Sequence, residues 1–184
     1  MKKIAACALL ACATAIFYIN PASAQGSDAT PLPGTVLAGQ GTMRFFGLEV
    51  YQARLWVSPG FAPERYGDQP LALALTYQRN FTAQAIAKRS IEEMRRVAPF
   101  SNEQAERWQA ALQAALPDVK PGDTLTGIYR PGGGAVFRMD DKVVGEVADP
   151  EFARLFFGIW LSPNTSEPSL RQALLASRST AGSP

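Results

Sequence analysis

Hydrophobic and polar positions change their period several times along this chain, and the changes divide it into strand-forming and helix-forming stretches. After Gly41 the sequence reads TMRFF, then Gly47, then LEVYQARLWV. Aromatic and branched residues in alternation read as strand, and Gly47 predicts a break or bulge between residues 41–46 and 48–57. In the second piece Leu48, Val50, Gln52, Arg54 and Trp56 share one face, and Glu49, Tyr51, Ala53, Leu55 and Val57 share the other. Neither face is cleanly polar, which predicts a sheet covered at least in part on both sides. Residues 58–69, rich in proline and glycine, read as a loop. Leu71, Leu73, Leu75, Tyr77 and Arg79 then alternate with smaller or polar residues as another strand.

The period next becomes helical. Ala83, Ile86, Ala87, Ser90, Ile91, Met94 and Val97 form one stripe after a capping Thr82, which leaves Lys88, Arg89, Glu92, Glu93, Arg95 and Arg96 mostly outside as a solvated face. Ser101 with Gln104 makes a capping box for a second helix with Ala105, Trp108, Leu112 and Ala115 inward, ended by Pro117. Short strands are predicted over 124–130, 135–139 and 142–147, joined by Pro131-Gly132-Gly133-Gly134 and by Asp140-Asp141. Asp149, Pro150 and Glu151 open a third helix, whose Phe152, Leu155, Phe156, Ile159 and Trp160 read as core. A last helix spans 166–178 with Leu170, Leu174 and Leu175 inward. Strands, helices, strands and helices in that order are compatible with an α+β fold.

The ends carry a different message. Met1, Lys2 and Lys3 precede an almost wholly apolar run to Ile19, and Ala22-Ser23-Ala24 has the form of a signal-peptidase site. Residues 1–24 are therefore expected to be a cleaved signal peptide. The apolar run falls short of the roughly 20 residues a spanning helix needs, so no stable membrane span is expected after cleavage. A lipoprotein anchored through Cys12 is a minor alternative. Residues 25–34 read as a flexible lead-in, 35–178 as one domain, and 179–184 as a loose tail.

Composition then removes chemistry. The 184-residue chain has no histidine, and Cys7 and Cys12 leave with the signal. Ser-His-Asp and Cys-His sites, zinc sites of the usual ligands and histidine proton relays are all excluded. The triple glycine is followed by no Lys-Ser/Thr pair and reads as a hairpin, not a phosphate cradle, while Asp140 and Asp141 alone fall far short of a calcium site. No cofactor and no metal are expected. The 18 basic residues, less Lys2 and Lys3, balance 16 acidic ones, and nothing points to nucleic acid.

What remains is carboxylate, lysine, tyrosine and arginine. Arg44, Tyr51 and Arg54 lie among large apolar residues, so they are either solvent-facing members of a half-buried sheet or the polar end of an apolar cavity. Tyr77 and Arg79 end a leucine-lined strand face, at the rim of whatever the leucines line or, for Arg79, pointing into water.

Gly39-x-Gly41, Arg44, Val50-Tyr51-x-Ala53-x-Leu55-Trp56-Val57, Glu93-Met94, Gly122-Asp123, the Gly-Gly hairpin and the run from Phe152 through Phe156-Phe157-Gly158 to Leu161 together resemble the bacterial, exported chalcone isomerase-like proteins. The resemblance spans roughly residues 36–176. It implies an open-faced sandwich, an antiparallel β-sheet packed against a layer of α-helices with an apolar cleft between them, and a periplasmic address.

In plant relatives that cleft either cyclises chalcones or holds a fatty acid whose carboxylate meets an arginine and a tyrosine. Arg44 resembles the arginine of the first conserved strand, but lies three residues after Gly41, where many bacterial relatives place theirs two after. The shift turns it to the opposite face unless Met43 or Gly47 lies at a bulge. Tyr51 stands where the fatty-acid binders have tyrosine and the true isomerases threonine, which argues against cyclisation, and the isomerases' lysine, tyrosine and asparagine cluster finds no match beyond Tyr77 as a strand tyrosine of similar order.

The resemblance therefore implies a non-catalytic binder of an apolar anionic small molecule such as a fatty acid, with Arg44, Tyr51, Tyr77 and Arg79 as ligand-binding residues. The alternatives are an isomerase or lyase acting by intramolecular conjugate addition, and a periplasmic structural or interaction module with a protein partner at its sheet edge.

Overall fold

The computed structural model describes residues 30–140 and 142–176. The expected signal peptide with Cys12, part of the lead-in, Asp141 and the tail lie outside the described residues. Six strands, β1 (Val36–Phe45), β2 (Leu48–Val57), β3 (Leu71–Tyr77), β4 (Thr124–Arg130), β5 (Gly134–Met139) and β6 (Lys142–Val147), pair antiparallel in chain order to form one open sheet. Four α-helices accompany it among the described residues, α1 (Ala83–Val97), α2 (Asn102–Ala115), α3 (Pro150–Leu161) and α4 (Pro168–Leu174), and a short 3-10 helix (Pro63–Asp68) lies within the expected loop. This is the expected α+β open-faced sandwich.

Local chemistry sets the helix boundaries. Thr82 accepts from the Ala85 N–H to cap α1, Ser101 and Gln104 close the expected capping box on α2, and Asp149 accepts from the Phe152 N–H to start α3. The Asp149 carboxylate also accepts from the Trp108 indole at 2.7 Å, which ties α2 to the start of α3. Burial raises the pKa of Asp149, but the Phe152, Trp108 and Glu151 N–H groups and Arg107 outweigh it and hold the carboxyl below its ordinary range.

Gly47 does not break a single strand. Phe46 (φ 48°) and Gly47 (φ 79°) form a two-residue turn with both residues left-handed, so the two predicted pieces are the arms of a hairpin. The first arm also starts earlier than expected, at Val36.

The main core lies between the sheet's inner face and the helices, where Leu55, Leu73, Phe137, Phe152, Leu155 and Phe157 are fully or almost fully buried. A smaller cluster of Trp56, Ala72, Ala74, Ile128 and Val136 occupies the outer face against Leu32, so the sheet is indeed partly covered on both sides.

Close approaches position the helices. A Cβ on Gly39 would lie 2.3 Å from the Ala173 carbonyl oxygen, and one on Gly41 would lie 2.8 Å from a Leu170 methyl, so this glycine pair is the seat of α4 on β1. Helix α3 lies over β4 and β5, whereas α1 packs on α2 and α3. Between α1 and strands β1–β3 the layers stand apart.

A candidate ligand cleft between sheet and helices

That gap is a cleft of about 560 Å³, in the size range of small-molecule sites. Its walls are largely apolar, from Met43, Val50, Leu75, Phe81, Ile86, Leu125, Phe156 and Ile159 among others. Tyr51, Tyr77, Arg79, Arg89, Ser90, Glu93, Trp160 and Glu167 bring polar groups to it.

Three of the four residues expected at the site meet here. Tyr51 and Tyr77 are direct cross-strand partners whose rings lie 5.9 Å apart, edge to face. The Tyr51 hydroxyl accepts from the Trp160 indole at 3.0 Å, which spends an acceptor position and leaves the phenol proton free to donate. Tyr77 is only 4% exposed, and its hydroxyl makes no hydrogen bond among the described residues. Burial pushes the Tyr51 pKa up to about 12, with the Trp160 bond opposing, and burial raises that of Tyr77 as well, so both remain neutral donors. Arg79 is exposed at the cleft and has neither an ion pair nor a hydrogen bond among the described residues.

Arg44 is not among the lining residues. It faces Glu49 across the hairpin and pairs with it at 2.5 Å, both side chains being largely exposed. Its neighbours on β1, Met43 and Phe45, both line the cleft, so regular alternation turns Arg44 to the opposite face, and a β-bulge on β2 brings Glu49 to the same side. Met43 pairs with Tyr51, but Arg44 pairs with Glu49, so Val50 is the additional residue. Regular alternation puts Glu49 on the face of Tyr51, in the cleft. The bulge instead turns Glu49 outward to Arg44 and turns Leu48, opposite Phe45, toward the cleft.

Sequence reasoning missed several lining residues. Arg89 and Glu93, assigned to a solvated face, line the cleft, and Glu93 is only 7% exposed. Its carboxylate sits 2.6 Å from Arg89 and 3.4 Å from Arg96, though the Arg89 approach is an ion-pair contact without hydrogen-bond alignment, leaving Oε1 with unused acceptor capacity. Arg89 also pairs with Glu92 at 3.3 Å, so its charge is already met. The available signal was spacing: Ile86, Arg89, Ser90 and Glu93 recur at i, i+3, i+4 and i+7, one face of a helix. Trp160 was read as core alone; it is mostly buried, yet its indole N–H faces Tyr51.

A sheet with one helical layer and a cleft near its first three strands defines an open-faced α+β sandwich. Residues 27–176 match the chalcone isomerase-like family model, and the chain belongs to that family. It is similar to an uncharacterized protein of Haemophilus influenzae, 30% identical over 126 residues that make up 68% of this chain and 60% of that protein. The chain thus spans about 60% of the length of the curated relative it matches. Among solved structures it shares its fold with the Arabidopsis thaliana fatty-acid binding protein AtFAP1, with a TM-score of 0.62 at 13% identity over 80% of this chain and 89% of that one.

Proposed function

We propose that the protein is a non-catalytic binder of an apolar molecule with an anionic, acceptor-rich end, of which a fatty acid is the representative, and that residues 1–24 direct it to the periplasm. The observation that carries this reading is the phenol of Tyr77, which lines an apolar cleft and whose hydroxyl makes no hydrogen bond among the described residues. A phenol O–H facing largely apolar walls with no protein acceptor gains a hydrogen bond when a ligand oxygen accepts from it. Tyr51 adds a second donor proton, and Arg79 supplies a guanidinium without a partner among the described residues. A carboxylate accepts from all three donors and donates to none. The fold neighbour's description as a fatty-acid binding protein agrees with this in kind.

Mass spectrometry of lipid extracted from the purified protein, with titration of a fluorescent fatty acid, tests the reading. A bound carboxylic acid is expected, and a Tyr77→Phe, Arg79→Ala double variant that binds as the wild type does would remove the assigned site.

A second reading follows from the same pair of phenols, which can polarise an enone carbonyl or stabilise a phenoxide. Incubation with a 2′-hydroxychalcone separates the two. The binder reading expects flavanone formation at the spontaneous rate, and acceleration lost in Tyr77→Phe would favour the isomerase.

A further inference from the structure

The tip of the β1–β2 hairpin is costly for a protein surrounded only by water. Phe46 is 91% exposed, and its neighbours Phe45 and Leu48 are 59% and 54% exposed. Phe45 and Phe46 pack edge to face with centroids 4.6 Å apart, so the tip is one aromatic knob and not a set of scattered residues. Phe46 also holds a left-handed backbone (φ 48°), a position that favours Asn, Asp or Gly and disfavours a bulky aromatic. The turn itself therefore gives no reason for phenylalanine.

Three relationships indicate what covers the knob. Phe45 and Leu48 line the cleft as well as flanking the turn, so the exposed apolar surface runs without a break into the cleft mouth. Exposed cations stand behind the tip. Arg44 directly precedes Phe45, and Arg79 is held at the same end of the sheet by the bond from the Gln78 N–H to the Val50 carbonyl at 2.9 Å. Glu49 neutralises Arg44 in part, whereas Arg79 has no partner among the described residues. Aromatic side chains in front of cationic ones match the layering of an anionic bilayer, with acyl chains inside and phosphates outside.

We propose that the Phe45-Phe46-Gly47-Leu48 tip inserts into the interface of an anionic phospholipid membrane and sets the cleft mouth against it, so that an apolar anion passes between bilayer and cleft without crossing water. Docking goes beyond the ligand reading and stands without it; loading of the cleft rests on that reading.

Co-sedimentation with vesicles of phosphatidylglycerol and phosphatidylcholine, against vesicles of phosphatidylcholine alone, tests the docking. Wild-type protein is expected to partition onto the anionic vesicles and more weakly onto the neutral ones. Phe46→Asn suits the left-handed turn, so its unfolding temperature is not expected to fall, and because Phe46 is not a lining residue its affinity for dispersed fatty acid stays unchanged. Its partition onto anionic vesicles drops about tenfold or more, as loss of a membrane-buried phenyl ring requires.

Wild-type protein that stays in the supernatant, or a variant that partitions equally, overturns the proposal. A Phe46-dependent dimer with no vesicle binding overturns it too, in favour of a contact between copies. Phe46-dependent docking by a protein that takes up no fatty acid supports the docking and sinks the ligand reading separately.

Discussion

The Trp160 indole N–H donates to the Tyr51 hydroxyl at 3.0 Å, a bond that joins α3 to β2 inside the cleft and leaves the phenol one proton to offer. Tyr51→Phe removes the acceptor and strands the indole N–H in a largely buried place. It is expected to destabilise the protein by about 1 kcal/mol and to weaken fatty-acid binding several-fold through the lost donor. Urea unfolding and a ligand titration read the two effects. Unchanged affinity would show that Tyr51 holds the wall without touching the ligand.

Arg44 and Arg79 differ in their access to the cleft. Arg79→Ala removes the unpartnered guanidinium at the cleft and is expected to weaken binding of a dispersed fatty acid about tenfold, the scale of one charge-assisted hydrogen bond. Arg44→Ala breaks an exposed pair with Glu49 and changes affinity less than twofold, with at most about 1 kcal/mol of stability lost. The reverse ranking in a fluorescence titration would return the ligand's charged end to Arg44.

Alkaline stability follows from the buried phenols. Tyr51 has a folded pKa of about 12 against an ordinary 10.0, and that of Tyr77 is also raised, both chiefly by burial. Between the ordinary and the raised value the unfolded chain has lost the proton that the folded chain keeps, so deprotonation favours unfolding. Stability from this source is complete below pH 10 and is lost as pH rises from there to about 12. Urea midpoints measured across that window should fall less steeply for Tyr51→Phe than for the wild type.

The seat of α4 allows little growth. Gly39→Ala would put a methyl 2.3 Å from the Ala173 carbonyl, backbone against backbone, whereas Gly41→Ala meets a Leu170 methyl at 2.8 Å and the Ala173 Cβ at 3.0 Å. The first should lift α4 and cost about 2 to 4 kcal/mol, and the second about 1 to 2, because a leucine rotamer yields where a carbonyl does not. Thermal unfolding of the pair checks the order.

The starts of α1 to α3 were legible because caps are local, whereas α4, with no side-chain cap, spans only Pro168–Leu174 of the expected 166–178. Thr82, Ser101 and Asp149 each sit one residue before the helix they start, where their side-chain oxygens meet the freed N–H groups. Strands β4 to β6 were legible from alternation and their glycine and aspartate turns. The β1–β2 hairpin was not, because its turn carries Phe46 where asparagine would have announced it.

The same contrast governs the site. Tyr51, Tyr77 and Arg79 lie where plain alternation put them, and Arg44 turns outward by the same alternation between Met43 and Phe45, while the outward Glu49 depends on an additional residue at Val50, which nothing in the sequence distinguishes from an ordinary strand position. Arg89 and Glu93 were hidden by their charge, which outweighed their helical spacing in the reading of α1.

Each strand of the sheet neighbours its successor in the chain, and the longest excursion between neighbours is the α1–α2 pair separating β3 from β4. The β2–β3 connection over residues 58–70 is shorter, and the remaining pairings close over tight turns, so the loop entropy lost at those steps is smaller. The contact that should limit the folding rate is therefore the meeting of Leu73 and Leu75 with Gly127 and Leu125, across two intervening helices. Circular permutants that open the chain between α1 and α2 would turn that late step into an encounter between the chain's two ends.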